Sequence, residues 1–285
     1  MINLWDPSHV SVSVDLLTAF LLGIVHGVTP DEHTWPITFA YAVGAYSTWR
    51  GMRAGLLFSA AFTLQRSIAS ELAWAGLSHV FQAPGFAIGV DLVVGAVMIA
   101  SAWFIASGKA APHLHIGRAI PAGQSLHDPR WWLPALHGFI AGWGFGAFAA
   151  ILYGVMAPAM PNAWLGFAPG LAFGLGTMVT QIIIGGLVGA WAARAGLTPD
   201  NLRQIALTSA ARTLKWGGAG LMLVGILAIF APQWADVHWV TGLHIHNMHT
   251  ITLPMILLII VIFVVGLGGF LRDARTSARR VSWPP

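Results

Sequence analysis

Apolar residues run along this chain in long blocks separated by short polar stretches. The blocks cover 12–48, 53–79, 86–107, 132–158, 163–193, 213–232 and 250–271. A stretch of about 20 apolar residues is the length an α-helix needs to cross a bilayer. The pattern therefore predicts an all-α polytopic membrane protein. Block 12–48 is too long for one straight crossing at about 1.5 Å per residue. Its apolar run is broken by His26-Gly27-Val28-Thr29-Pro30-Asp31-Glu32-His33. It is read as one crossing by a broken helix, with two short crossings and an inside N-terminus as the alternative. Block 132–158 carries a comparable break at Gly142-Trp143-Gly144-Phe145-Gly146.

Composition agrees with that class: 56% of residues are hydrophobic, 8% are charged, and there is no cysteine. The last point excludes disulfides, thiolate metal sites and dithiol redox chemistry. The start of the chain lacks the basic segment of a cleavable signal, so the first apolar run is expected to be retained. Charge placement sets the orientation. Arg50, Arg53, Lys109, Arg118, Arg130, Arg194, Arg203, Arg212, Lys215, Arg272, Arg275, Arg279 and Arg280 fall at alternate connections, while stretches 80–85, 159–162 and 233–249 contain no Lys or Arg. The positive-inside rule makes the basic face cytoplasmic. This predicts an inner-membrane protein with its N-terminus outside and its C-terminus inside. Trp49, Trp131, Trp132, Trp164, Trp191, Trp234 and Trp239 lie at predicted span ends, as interfacial aromatics do. The net charge of +4 is a matter of topology, and no nucleic-acid partner is expected. The expected partners are lipid and an ion; the sequence leaves the oligomeric state open.

The two halves echo one another. Leu22-Gly23-Ile24-Val25-His26-Gly27 resembles Leu133-Pro134-Ala135-Leu136-His137-Gly138, and Phe62-Thr63-Leu64-Gln65-Arg66 resembles Met178-Val179-Thr180-Gln181-Ile182. With three spans each, the halves would be inverted, an arrangement in which transporters bind substrate near the midplane at broken helices. The expected organisation is an outer tail 1–11, a first three-helix repeat 12–107, a cytoplasmic loop 108–131 carrying His113, His115 and His127, and an inverted second repeat 132–232. An outer histidine-rich loop 233–249, a seventh span 250–271 and a basic cytoplasmic tail 272–285, seated on anionic headgroups, complete it.

Two imidazoles and two carboxylates do not sit cheaply in hydrocarbon: each charge costs at least ~2.5–3.5 kcal/mol at the bilayer centre. Imidazole and carboxylate also suit a divalent transition metal. In a straight helix His26 and His33 would lie ~10 Å apart along the axis. Unwinding around Pro30 would let His26, Asp31 and His33 reach one ion, whereas a proline-kinked helix with its polar groups at a surface is the plainer reading. His137, aligned with His26, is read as a ligand or as a polar group bonded across helices. Glu32, Thr63, Gln65, Thr180 and Gln181 are read as groups that line the pathway or orient ligands. His238, His244, His246 and His249 could gather metal at the outer mouth. Arg66, Glu71 and Asp91 are read as structural or coupling charges, with an Arg66–Asp91 bond expected, and Asp15 is placed at the outer interface.

The segment resembles that of nickel/cobalt permeases and the related urease-accessory-type membrane proteins, whose hallmark is His-x4-Asp-His. Here it reads His26, Asp31, His33, with Glu32 inserted. The resemblance implies a permease for Ni²⁺ or Co²⁺, with Zn²⁺ also compatible with the ligand set. No organic cofactor and no enzymatic activity are expected, and metal affinity should fall as pH drops. Two further readings stay open. One is an anion exporter of the sulfite-exporter type, with His26 and Arg66 attracting substrate. The other is a membrane accessory or scaffold protein, or an intramembrane metallohydrolase with Glu32 as general base.

Overall fold

The structure, a computed structural model, describes residues 11–29, 34–45, 47–107, 132–144, 146–195, 199–235, 237–240 and 250–281. The first apolar block is two helices, α1 (Val12–Val28) and α2 (Trp35–Ala45), so the continuous helix ends before Pro30. Thr29 is extended, and its hydroxyl folds back onto the Val25 and His26 carbonyls. Ser47 then accepts the Arg50 N–H and starts α3 (Thr48–Leu72), five residues earlier than hydropathy alone predicts. A π-helical segment (Ala73–Leu77) follows, with Gly76 at φ 95, a conformation that suits glycine. After α4 (Ser78–Phe81) comes α5 (Pro84–Ser107).

The second half of the chain follows. Its first block is α6 (Leu133–Ala141), a turn at 142–144, α7 (Ala147–Ile151) and a π-helical segment (Leu152–Met156). Then come α8 (Ala163–Gly166), α9 (Ala168–Ala193) and α10 (Pro199–Phe230). The predicted loop before 213 is therefore partly helix. The reason is amphipathicity: Leu202, Ile205, Ala206, Ser209, Ala210 and Thr213 recur on one buried face while Gln204 and Thr208 are exposed. Residues 233–249 are not all loop either. Beyond the short α11 (Pro232–Ala235), β1 (His238–Val240) pairs antiparallel with β2 (Thr250–Thr252). Next come α12 (Leu253–Ile259), a π-helical segment (Ile260–Gly268) and α13 (Gly269–Val281), so the expected tail from 272 is helical to 281.

Among the described residues, three helices are long and apolar enough to cross a membrane: Gly85–Ala106, Ala163–Ala193 and Gln204–Phe230. The 25-residue α3 is comparably long but carries Arg50, Arg53, Arg66 and Glu71. The other predicted spans are divided into shorter helices.

Close backbone approaches give the relative directions of these helices. Along α3 and α9, Gly51 lies against Gly185, Gly55 against Gln181, Thr63 against Gly174 and Arg66 against Gly170, so the two helices are antiparallel. Gly95 of α5 meets Gly218 of α10, and Leu92 meets Gly225, again antiparallel. By contrast α1 runs parallel to α9, through Gly23 on Phe173 and Gly27 on Thr180. Likewise α6 runs parallel to α3, through Gly138 on Phe58 and Gly142 on Gln65. Thus α1 packs on α9, and α6 packs on α3. Trp49, Trp164 and Trp234 are exposed, whereas Trp191 packs on Phe270 with ring centroids 4.9 Å apart. Asp15, in the first turn of α1, is buried.

Buried Phe270 and Ala274 hold α13 in place, together with an Arg212–Asp273 bond of 2.9 Å between α10 and α13. Both charged side chains are about one-third exposed, at 33% and 31%, so the pair is screened and Arg212→Ala should cost no more than about 1 kcal/mol. Phe270→Ala should cost about 3–5 kcal/mol by opening a cavity. Thermal midpoints of the two purified variants test that order, and equal losses would contradict it.

Candidate functional site

The polar residues singled out in the sequence converge on the two helix breaks. His26 ends α1 and is 4% exposed, enclosed by Phe62 (ring centroids 5.8 Å, stacked), Phe148 (5.4 Å) and Phe173 (5.2 Å). Its neighbour Gly27 presents a carbonyl to Gln181, whose Nε2 donates at 3.5 Å. The Gln181 Oε1 in turn accepts the Thr38 hydroxyl at 2.7 Å. One glutamine of α9 thus bridges the end of α1 and the start of α2, tying the first break together. Thr180 donates to the Thr177 carbonyl and Thr63 to the Ser59 carbonyl, so both hydroxyls serve their own helices. Asp31, Glu32 and His33 lie outside the described residues, as do His113, His115, His127, His244, His246 and His249. His238 is exposed on β1.

The second break differs. Gln65 of α3 presses against Gly142 and is fully buried, yet neither atom of its amide has a hydrogen-bond partner among the described residues. Next to it, Arg66 donates from Nη1 to the Tyr153 hydroxyl (2.9 Å) and from Nη2 to the Gly144 carbonyl (3.2 Å). The expected Arg66–Asp91 bond is therefore replaced, because Arg66 turns toward the 142–144 turn. Asp91 lies instead on α5 near Gly225 of α10. The guanidinium also sits over Phe62 (4.8 Å to the centroid), Phe173 (5.6 Å) and Tyr153 (5.7 Å). His26 and Arg66 thus share two aromatic rings. Glu71 places its Oε2 beside Gly166, buried and without a hydrogen-bond partner among the described residues.

His137 lies on α6, 1% exposed. Its Nδ1 is 3.0 Å from the Leu133 carbonyl and 2.8 Å from the Tyr41 hydroxyl. A carbonyl only accepts, so the bond to Leu133 requires the proton on Nδ1 and leaves a lone pair on Nε2 of the neutral ring. Nε2 is buried and has no partner among the described residues. This is the tautomer of a metal-ligating imidazole, oriented by outer hydrogen bonds. The Tyr41 hydroxyl and the Leu133 carbonyl together hold the ring.

Among the described residues, no three His, Asp or Glu side chains gather as a metal site. Sequence reasoning missed Tyr41, Tyr153 and the Phe62–Phe148–Phe173 enclosure. The phenylalanines carry no signal in an apolar run, but the tyrosines do: the chain has three, and two of them hold His137 and Arg66.

No protein-family model, curated protein or solved structure matches the chain.

Proposed function

We propose that this chain is a secondary permease for a divalent transition-metal ion, Ni²⁺ or Co²⁺ foremost, built from two inverted three-helix repeats and a seventh span in the inner membrane. The helix directions support the repeat. A two-fold axis in the membrane plane exchanges α1 with α6, α3 with α9 and α5 with α10. Such an axis requires α3 and α9 to run antiparallel, as it does α5 and α10, and it requires the α1–α9 contact to have its mate in α6–α3. The observation that carries the functional reading is His137, a buried imidazole beside a helix break with Nε2 left as a lone-pair donor. Its counterpart His26 occupies the same place beside the other break and adjoins the Asp31 and His33 donors in sequence.

Flux of isotopic Ni²⁺, Co²⁺ and Zn²⁺ into proteoliposomes tests this. Metal flux in the wild type should fall at least tenfold in His26→Ala and in Asp31→Asn, by about the loss typical of a disturbed metal site. Unchanged metal flux in both variants would sink the assignment. The alternative, a sulfite-type anion exporter, draws on Arg66. Sulfite flux in the absence of metal flux would move the function to that class.

A further inference from the structure

The turn at 142–144 and the two α3 side chains that reach it form a buried cationic cluster with spare donors, and we infer that it binds a small inorganic anion. Arg66 is 4% exposed, and its hydrogen bonds go to two neutral groups, the Tyr153 hydroxyl and the Gly144 carbonyl. No carboxylate pairs with it among the described residues: Glu71 on the same helix lies beside Gly166, and Asp91 lies against α10. A guanidinium cannot shed its proton to escape this environment. Rings of Phe62, Phe173 and Tyr153 offer it only their π faces, a weak substitute for an opposite charge.

Donors are also left over. Arg66 Nε–H has no partner among the described residues, nor does the amide of Gln65. Both side chains reach the same short turn, Gln65 with its Oε1 nearest Gly142 and Arg66 through the Gly144 carbonyl. A buried fixed positive charge with spare N–H donors on adjacent residues of one helix is the chemistry that recognises a halide or a small oxyanion. The contrast with the first break sharpens this. There the equivalent glutamine, Gln181, is satisfied by Thr38 and the Gly27 carbonyl, and its chain neighbour is Ile182 rather than an arginine. Among the described residues this arrangement belongs to the second break, and it holds whichever ion the protein carries.

An anion on Arg66 would also lower the electrostatic cost of a cation near His26, since the two residues contact the same rings of Phe62 and Phe173.

Equilibrium dialysis of the full-length protein in detergent, without added metal, tests the site with isotopic chloride and with isotopic sulfate, gluconate serving as the balancing anion. Wild type should bind one of the two saturably, chloride pointing to a halide site and sulfate to an oxyanion site. Arg66→Gln should weaken binding by about 10–100-fold, as expected for loss of a charge-assisted partner. Gln65→Leu should weaken it several-fold, and Arg66→Lys should retain more affinity than Arg66→Gln. The bound anion should raise the thermal midpoint of the wild type but not of Arg66→Gln. If Arg66→Gln does not fold, Gln65→Leu and Arg66→Lys decide: binding unchanged in both overturns the inference. So does the absence of saturable binding of either anion to the wild type, or unchanged binding in a folded Arg66→Gln. Because no metal is present, failure here leaves the metal flux result standing.

Discussion

Gly51→Ala and Gly185→Ala are each expected to destabilise the protein by about 3 kcal/mol, the upper end of ordinary overpacking. A Cβ at Gly51 would run into the Gly185 carbonyl oxygen, and a Cβ at Gly185 would run into that of Gly51. Neither obstacle is the tip of a flexible side chain, so relief requires α3 and α9 to separate. That separation would spread along the seam, where Gly55 meets the Gln181 backbone and Gly189 meets Ser47. The matched control is Gly89→Ala on α5, where a Cβ meets nothing within 4 Å. That change should be neutral or stabilising by about 0.5–1 kcal/mol, because alanine is the better helix former. Thermal midpoints and the monodisperse fraction on size exclusion in detergent separate the two classes. The close seam would be refuted by Gly51→Ala as stable as Gly89→Ala. The double variant should cost less than the sum of the singles, since one opening of the seam relieves both clashes.

Tyr41→Phe is expected to weaken Ni²⁺ binding by about 10–100-fold while leaving the fold intact. The hydroxyl touches no ion in this reading. It holds His137 Nδ1 at 2.8 Å. Its loss leaves only the Leu133 carbonyl to fix the ring. His137→Ala should do more, abolishing measurable binding at the second break. Tyr153→Phe, which disturbs Arg66 and not His137, should leave Ni²⁺ affinity near the wild-type value. Calorimetric titration of the purified variants reads all three. If Tyr41→Phe matches the wild type while His137→Ala loses binding, the orienting role of Tyr41 is wrong. If His137→Ala also matches the wild type, the ligand role goes with it.

Much of this arrangement was legible in residue order, and the reason is the cost of polar groups in apolar surroundings. His26, His137, Gln65, Arg66 and Gln181 stand out in apolar runs, and all five are buried at or beside the two breaks. Proline and alternating glycines marked where those breaks fall. Helix extents were less legible. The first half of α10 and most of α13 bury one face and leave the other polar, so their average hydropathy resembles that of a loop. The strand pair β1–β2 was invisible because three residues of alternation carry almost no signal. Partner choice was the least legible of all. Charge alone suggested Asp91 for Arg66, whereas the 142–144 turn and Tyr153 take its donors. A hydrogen bond spanning 87 positions leaves no trace in local pattern.

The crossed packing of the two halves has a consequence for biogenesis. In chain order α1 comes long before its main partner α9: the Thr177 hydroxyl donates to the Gly23 carbonyl across 154 positions. At about 5–20 residues per second, α1 waits on the order of 10–30 seconds before that partner is made. During that interval the His26 end of α1 has neither Phe148 nor Phe173 beside it. A chain interrupted before α9 therefore lacks the surfaces that bury its own polar break, and quality control in the membrane could read that exposed break as the mark of an unfinished protein.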